Sequence, residues 1–274
     1  MQVTPHVYVM HIDDGAEFHP GGSNNYFVGE PQEGMVLIDT GDQQRAWTQS
    51  ILEYHERLGR PRITAILLTH SHGDHIGGLD RIYDAMPAPV RCHPKFGKRL
   101  EAMLGRDVVV PLTSQEEVVT GGGVRLRALF TPGHEIDHVS FYLEAERVLF
   151  TGDCILGASS TTVRDLFSYM QSLRLLTRYQ HDTICPGHGP VVPPPRGAEL
   201  VQWYIEHREQ REQQIFAALA KGLSTVAEIA RDVYPSDLPD GLRRGAEQNV
   251  TTHLEKLVQE GRVLETPSRY GLRT

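Results

Sequence analysis

Thr69-His70-Ser71-His72-Gly73-Asp74-His75 decides how this 274-residue chain is read. Three imidazoles and a carboxylate stand in the order His-x-His-x-Asp-His. They follow a β-prone apolar run, Ile63 to Leu68, and precede Gly77-Gly78. That order fits a buried strand ending in a ligand-bearing turn. Neutral imidazoles and a carboxylate form a ligand set that suits zinc. Core packing gives no reason for such crowding, because each of these side chains would need its own polar partner once buried. The competing reading is a solvated polar loop.

The same pattern recurs along the chain. His134 stands in Thr131-Pro132-Gly133-His134, Asp153 in Phe150-Thr151-Gly152-Asp153, and His188 in Cys185-Pro186-Gly187-His188-Gly189. Asp39 stands in Ile38-Asp39-Thr40-Gly41. Each time an apolar strand delivers a ligand-type residue to a glycine-containing turn, where the backbone can approach a site closely. If these strands run alike, the turns meet at one edge. Two metals can then be built, one on His70, His72 and His134, the other on Asp74, His75 and His188, with Asp153 bridging. Open positions would remain for a water, as a catalytic site requires. Two metals can also lower the pKa of a shared water.

Composition sets the bounds. The chain is 39% hydrophobic and 23% charged, has three widely spaced cysteines, and carries a formal net charge of −8. That is an ordinary globular composition, with no run long enough to span a membrane. The start lacks a basic-then-apolar signal pattern, and the cysteines form no C-x-x-C motif, so a cytoplasmic protein is expected. The negative charge argues against holding nucleic acid by overall charge. A local basic patch, Arg91, His93, Lys95, Lys98 and Arg99, reads first as a solvated face.

Short β patterns and a few helices alternate from Val7 to about Val192. Val7 to Met10, Asn25 to Val28, Met35 to Asp39, Ile63 to Leu68, Val124 to Phe130, Val139 to Leu143, Arg147 to Phe150 and Asp182 to Cys185 read as strands. Gly121-Gly122-Gly123 suits a hairpin turn. Ala46–Leu58, Leu79–Met86 and Asp165–Tyr179 read as helices. Two strand groups with helices outside imply two packed sheets. Prolines 193–195 mark a boundary between residues 1–192 and 198–274. Beyond it, Ala198 to Lys221 reads as one long solvated helix with i,i+4 ion pairs. Ser224 to Val233 and Gly245 to Glu260 are two more helices. Arg262–Glu265 and Tyr270–Leu272 form a hairpin. That succession is a winged-helix pattern.

At this point the chain resembles a metallo-β-lactamase-fold hydrolase. The match rests on the His70–His75 motif, His134, Asp153 and His188, with Asp39 matching the family's early structural aspartate. The resemblance implies an α+β fold, a four-layer αββα sandwich, with seven metal ligands and two zinc ions. His72 in the second motif position favours zinc hydrolysis over the diiron oxidoreductase branch. Further segments are similar to the lactamase-beta-like protein 2 subgroup: Thr151–Gly157, Thr161–Val163, Asp165-Leu166 with Tyr169–Leu173, Pro186–Pro190, and His207-Arg208 with Arg211–Ile215. That subgroup carries a C-terminal winged-helix-like domain. It includes an endoribonuclease acting on single-stranded RNA, and fungal thioesterases that release polyketides from carrier proteins.

The expectation is therefore a binuclear zinc hydrolase using a hydroxide shared by the metals. Single-stranded RNA is the first substrate class. A thioester or lactone is the alternative, and a winged-helix nucleic-acid-binding regulator is a reading of another class. Asp74 is expected to bind metal and to accept a proton. Asp39 is expected to orient ligands through hydrogen bonds. His138 either supports a ligand from behind, donates a proton to the leaving group, or is a satisfied structural histidine. Tyr169 either touches substrate or sits in the core. Cys154 reads as a small buried apolar residue. No membrane partner is expected. The C-terminal module reads as a pocket cover or a homodimer contact.

Overall fold

The computed structural model describes residues 1–13, 21–266 and 269–272. Strands β1 (Gln2–Thr4), β2 (Val7–Ile12), β3 (Ser23–Glu30), β4 (Gly34–Ile38), β5 (Ile63–Leu67), β6 (Val90–Cys92) and β7 (Val109–Pro111) lie side by side in chain order. A second sheet holds β8 (Glu117–Val119), β9 (Arg125–Phe130), β10 (Val139–Leu143), β11 (Val148–Gly152) and β12 (Thr183–Pro186), again in order. The helices are α1 (Arg45–Arg57), α2 (Gly73–Ile76), α3 (Leu79–Ala85), α4 (Pro94–Leu104), α5 (Leu166–Leu176), α6 (Arg196–Ala220), α7 (Val226–Val233) and α8 (Asp240–Gln259). A small hairpin, β13 (Val263–Thr266) with β14 (Arg269–Leu272), follows.

The continuous apolar runs arise because central strands are buried on both faces. On β4 and β5, Val36, Ile38, Ala65 and Leu67 face the second sheet, meeting Leu126, Ala128, Phe141 and Phe150. The alternate residues Met35, Leu37, Ile63 and Ile66 face out, against Ile51, Leu79, Ile82, Phe96 and Leu100 of α1, α3 and α4. The far face of the second sheet packs Leu129, Leu149 and Ile184 against Leu166, Leu173, Leu200 and Val201 of α5 and α6. The result is four layers, αββα. Truncating a buried leucine of this kind to Ala costs about 2–5 kcal/mol.

Strand direction gathers the turns. β4 and β5 are parallel. β11 and β12 are parallel, and β9 runs the same way because each pairs antiparallel with β10. The residues after β4, β5, β9, β11 and β12 therefore leave at common sheet edges. The amide of Val139 donates to the Thr69 carbonyl at 2.7 Å, and a bridge joins Ser23 to His188. These contacts stitch the two sheets together beside the site.

Two segments carry more structure than their charge pattern shows. The Arg91–Arg99 stretch contains α4, on which Lys95, Lys98 and Arg99 keep the expected solvated face. Pro94 opens that helix, the His93 ring accepts from the Lys95 amide, and Phe96 and Leu100 are buried. The long helix α6 is not a solvated rod. Leu200, Val201, Tyr204 and Ile205 pack on the sandwich, whereas Ile215, Ala218 and Leu219 join Ile229, Val250, Leu254 and Leu257 in a separate core. Its stripe was hidden because Arg208 and Glu212, both buried, occupy it. The helix thus belongs to both units, and the change of core falls within it rather than at the prolines. α7 starts with a full capping box between Thr225 and Glu228. α8 begins earlier than its apolar pattern suggests, at Asp240.

Candidate metal centre

β5 ends at Leu67, and the chain turns through Thr69 and His70 into α2. One turn of helix places Asp74 and His75 beside the ends of β11 and β12. His70, His72, His134 and Asp153 form one group of ligand atoms within 4.8 Å of one another, and Asp74, His75 and His188 form a second. Asp153 lies between the groups. Its Oδ1 is 3.4 Å from His75 Nε2, and its Oδ2 is 3.3 Å from His188 Nε2 and 3.7 Å from His134 Nε2. All seven residues expected as ligands converge.

Partners on the far side of each ring decide which nitrogen faces inward. His134 Nδ1–H donates to the Thr162 carbonyl at 2.7 Å, so Nε2 presents its lone pair. His75 Nδ1–H donates to Asp39 Oδ2 at 2.7 Å. Asp39 also accepts from the Thr69 amide and hydroxyl, each at 2.8 Å. With its proton committed there, the Thr69 hydroxyl accepts from His70 Nδ1 at 3.0 Å. One carboxylate thus braces two of the candidate ligands. Ser23 Oγ lies 2.8 Å from His188 Nδ1.

This arrangement fits a cation. His70 Nε2 is buried without a hydrogen-bond partner, and Asp153 Oδ1 also makes no hydrogen bond. His75 Nε2 and His188 Nε2 face each other at 3.3 Å, and His134 Nε2 faces His72 Nδ1 at 3.2 Å. Opposed ring nitrogens are stable only with a proton or metal ion to share. A Cβ at Gly187 would fall 2.4 Å from Asp153 Oδ1 and 2.8 Å from His75 Cε1, so only glycine leaves room for these ligands.

Electrostatics agree. Burial, reinforced by neighbouring imidazoles, holds His70 well below the ordinary histidine range, and burial lowers His134. Both therefore stay neutral and able to ligate. Burial would lower His75 and His188 too, but the carboxylates win: Asp153, Asp39 and Asp74 raise His75, and Asp153 and Asp74 lift His188 to about 9. Burial opposes ionisation of Asp74 and Asp153, yet the positive charge of His75 and hydrogen bonds from His188 hold both below the ordinary carboxylate range. The second group is a sink for positive charge.

A scan against known families matches residues 19–188 to the metallo-beta-lactamase superfamily and residues 225–271 to the beta-lactamase associated winged helix domain. The chain belongs to the metallo-beta-lactamase superfamily. It is 36% identical over 247 residues to a beta-lactamase-like protein 2 homolog of Caenorhabditis elegans, covering 90% of this chain and 81% of the relative. It is 33% identical over 245 residues to an atrochrysone carboxyl ACP thioesterase of Aspergillus fumigatus, covering 80% and 71%. A beta-lactamase domain protein from Burkholderia ambifaria shares its fold throughout, with TM-score 0.81 at 20% identity, covering 100% of this chain and 93% of that one. The protein is thus a hydrolase of this superfamily with a C-terminal winged helix.

Two secondary candidates support the Asp153 turn. His138 is fully buried, its Nδ1 bonded to Thr131 Oγ1 at 2.8 Å and its Nε2 accepting the Asp153 amide at 3.1 Å. With both nitrogens committed it has no proton for a leaving group; it holds the Asp153 turn instead. Tyr169 is also fully buried and donates to the Cys154 carbonyl at 2.7 Å, so it supports that turn from the core and does not touch substrate. Cys154 is buried, and burial pushes its thiol up to about 12, as befits an inert apolar filler.

Several further contributors come from elsewhere in the chain. Ser23 is far from its partner in the chain. Thr161 Oγ1 lies 3.1 Å from His134 Nδ1, and the Thr161 carbonyl accepts from Arg208 of α6 at 2.9 Å. Arg208 also donates to Asn249 of α8 at 3.1 Å. The C-terminal unit is therefore tied to the loop that holds a ligand. Among the described residues, no helix is long and apolar enough to cross a membrane.

Proposed function

We propose that this protein hydrolyses an acyl thioester, or a related activated ester, with two divalent ions, of which zinc suits the donor set. His70, His72, His134 and Asp153 would hold one ion, and Asp74, His75 and His188 the other. When bound, the ions supply Lewis acidity and a water ionised near neutral pH. The protein does the rest. Burial keeps His70 and His134 neutral; Asp39, Thr162 and Ser23 fix the rings. Asp74 has the more exposed of the two candidate ligand carboxylates, its side chain 16% accessible against 9% for Asp153, but His188 bonds its Oδ2 at 3.0 Å and helps hold it ionised, so it is a weaker proton acceptor than a free carboxylate.

The acyl reading is carried by the acidic balance of the chain, a formal net charge of −8, which gives no general attraction for a phosphate backbone. In the local patch Arg91 pairs with Glu116 and His93 packs its ring on Phe130 at 4.2 Å, while Lys95, Lys98 and Arg99 stay exposed. In the winged helix, Lys256 and Arg262 both pair with Glu212 and Glu260. Phosphate tracking needs many unpaired cations, and this pairing leaves fewer of them. By contrast Ile136, two residues past His134, is 62% exposed and offers an apolar surface for an acyl group. The thioesterase named among the relatives supports the same reading.

The test offers metal-loaded protein a panel of acyl thioesters and labelled single-stranded RNA, each with a chelator control. Chelator-sensitive thioester cleavage with intact RNA is expected. Chelator-sensitive RNA cleavage with untouched thioesters would overturn the substrate assignment.

A further inference from the structure

Glu135 follows the candidate ligand His134 and is 8% exposed. Its Oε1 lies 2.5 Å from His72 Nε2 and 2.9 Å from Arg164 Nε. We propose that Glu135 is a positioning residue for His72, fixing its tautomer and tightening the first metal group; this rests on the two-metal reading above.

The argument begins with how loosely His72 is otherwise held. It is the N-cap of a single helical turn, and its side chain is 33% accessible, against 2% for His75, 4% for His188 and 8% for His134. The buried rings are fixed by packing and by their Nδ1 partners. For His72 the contact that orders the outer edge of the ring is Glu135. A carboxylate only accepts, so His72 Nε2 carries the proton and Nδ1 turns its lone pair toward His134 Nε2, 3.2 Å away. A carboxylate behind a ligating imidazole also makes it a stronger donor, and losing such a partner typically costs 10–100-fold in metal affinity.

The contact has a counterpart in the other group. Asp39 stands behind His75 as Glu135 stands behind His72. Each metal group then owns one carboxylate-backed imidazole. Arg164 shares Glu135 but has a 70% accessible side chain, so its ion pair is worth little.

The test titrates full-length, metal-free protein with zinc against a chromogenic chelator, and reads the His72 tautomer by 15N NMR. Wild type should take up two equivalents. Glu135→Ala should weaken one equivalent by about 10–100-fold and leave the other unchanged, and its His72 ring should lose the Nε2–H preference. Glu135→Gln, which keeps a neutral acceptor and guards against misfolding, should fall between. Arg164→Ala should bind zinc as wild type does. Two wild-type equivalents in Glu135→Ala would overturn the proposal alone. So would an equal loss in Arg164→Ala, which would make the loop ion pair responsible. Failure of wild type to bind zinc would overturn the two-metal reading and this inference with it.

Discussion

Asp39→Asn isolates the effect of one carboxylate on two ligands. Asp39 has φ +59°, a conformation Asn tolerates as well as Asp, so the backbone is not the confounder. The Asn carbonyl oxygen can replace Oδ1 and keep the Thr69 amide bond of 2.8 Å. The NH2 group then faces His75 Nδ1, which now sits 2.7 Å from Oδ2. Two donors cannot face each other there. His75 must move its proton to Nε2, the nitrogen that faces Asp153 and His188, and there it cannot ligate. The lost charge-assisted bond is worth about 1.5–3 kcal/mol of folding stability. The misplaced tautomer should weaken metal binding about 10–100-fold, or ~1.4–2.8 kcal/mol. Denaturant unfolding measures the first and chelator competition the second. An Asn variant with wild-type metal affinity would refute the view that Asp39 sets the His75 tautomer.

Three further outcomes follow from the same geometry. Gly187→Ala places a methyl 2.4 Å from Asp153 Oδ1; metal content after dialysis should collapse while far-UV circular dichroism stays unchanged, and retained metal would count against the packing argument. Glu212→Ala strips a partner from Lys256, which is 6% exposed, and should cost about 3 kcal/mol, the low end for a broken buried pair because Glu260 remains; a change under about 0.5 kcal/mol, typical of surface sites, would show the cluster to be solvated. His253 is 1% exposed, and burial, with Arg208 and Lys256 adding, lowers it to about 3. Its folded pKa is depressed, so between pH 6.5 and 3 the unfolded chain binds a proton that the folded chain refuses. Stability is complete above 6.5 and falls by about 1.4 kcal/mol per pH unit below it. His253→Leu should flatten that slope in urea unfolding at pH 6.5 and 5.5, and an unchanged slope would remove His253 as its source.

The seven candidate ligands were legible because they cluster where strands end at glycine-containing turns, so strand pattern and chemistry coincide. Parallel β4 and β5, with co-directional β9, β11 and β12, turned that local reading into a convergent site. What the pattern could not supply were partners set by tertiary contact. Ser23 meets His188 across 165 residues of chain, and Glu135 meets His72 across 63. Neither spacing has a local signature. Tyr169 and His138 sit in motif segments yet serve the Asp153 turn, because proximity in sequence does not say which way a side chain points. The buried face of α6 escaped because charge at Arg208 and Glu212 breaks the apolar stripe that periodicity detects.

The central claim is tested most directly by titrating metal-free protein with zinc while following cleavage of an acyl thioester. The account predicts no turnover without metal and a rise that saturates at two equivalents per chain, with Asp153→Ala showing neither uptake nor activity. Full turnover in metal-free protein, or in the Asp153→Ala variant, would contradict it.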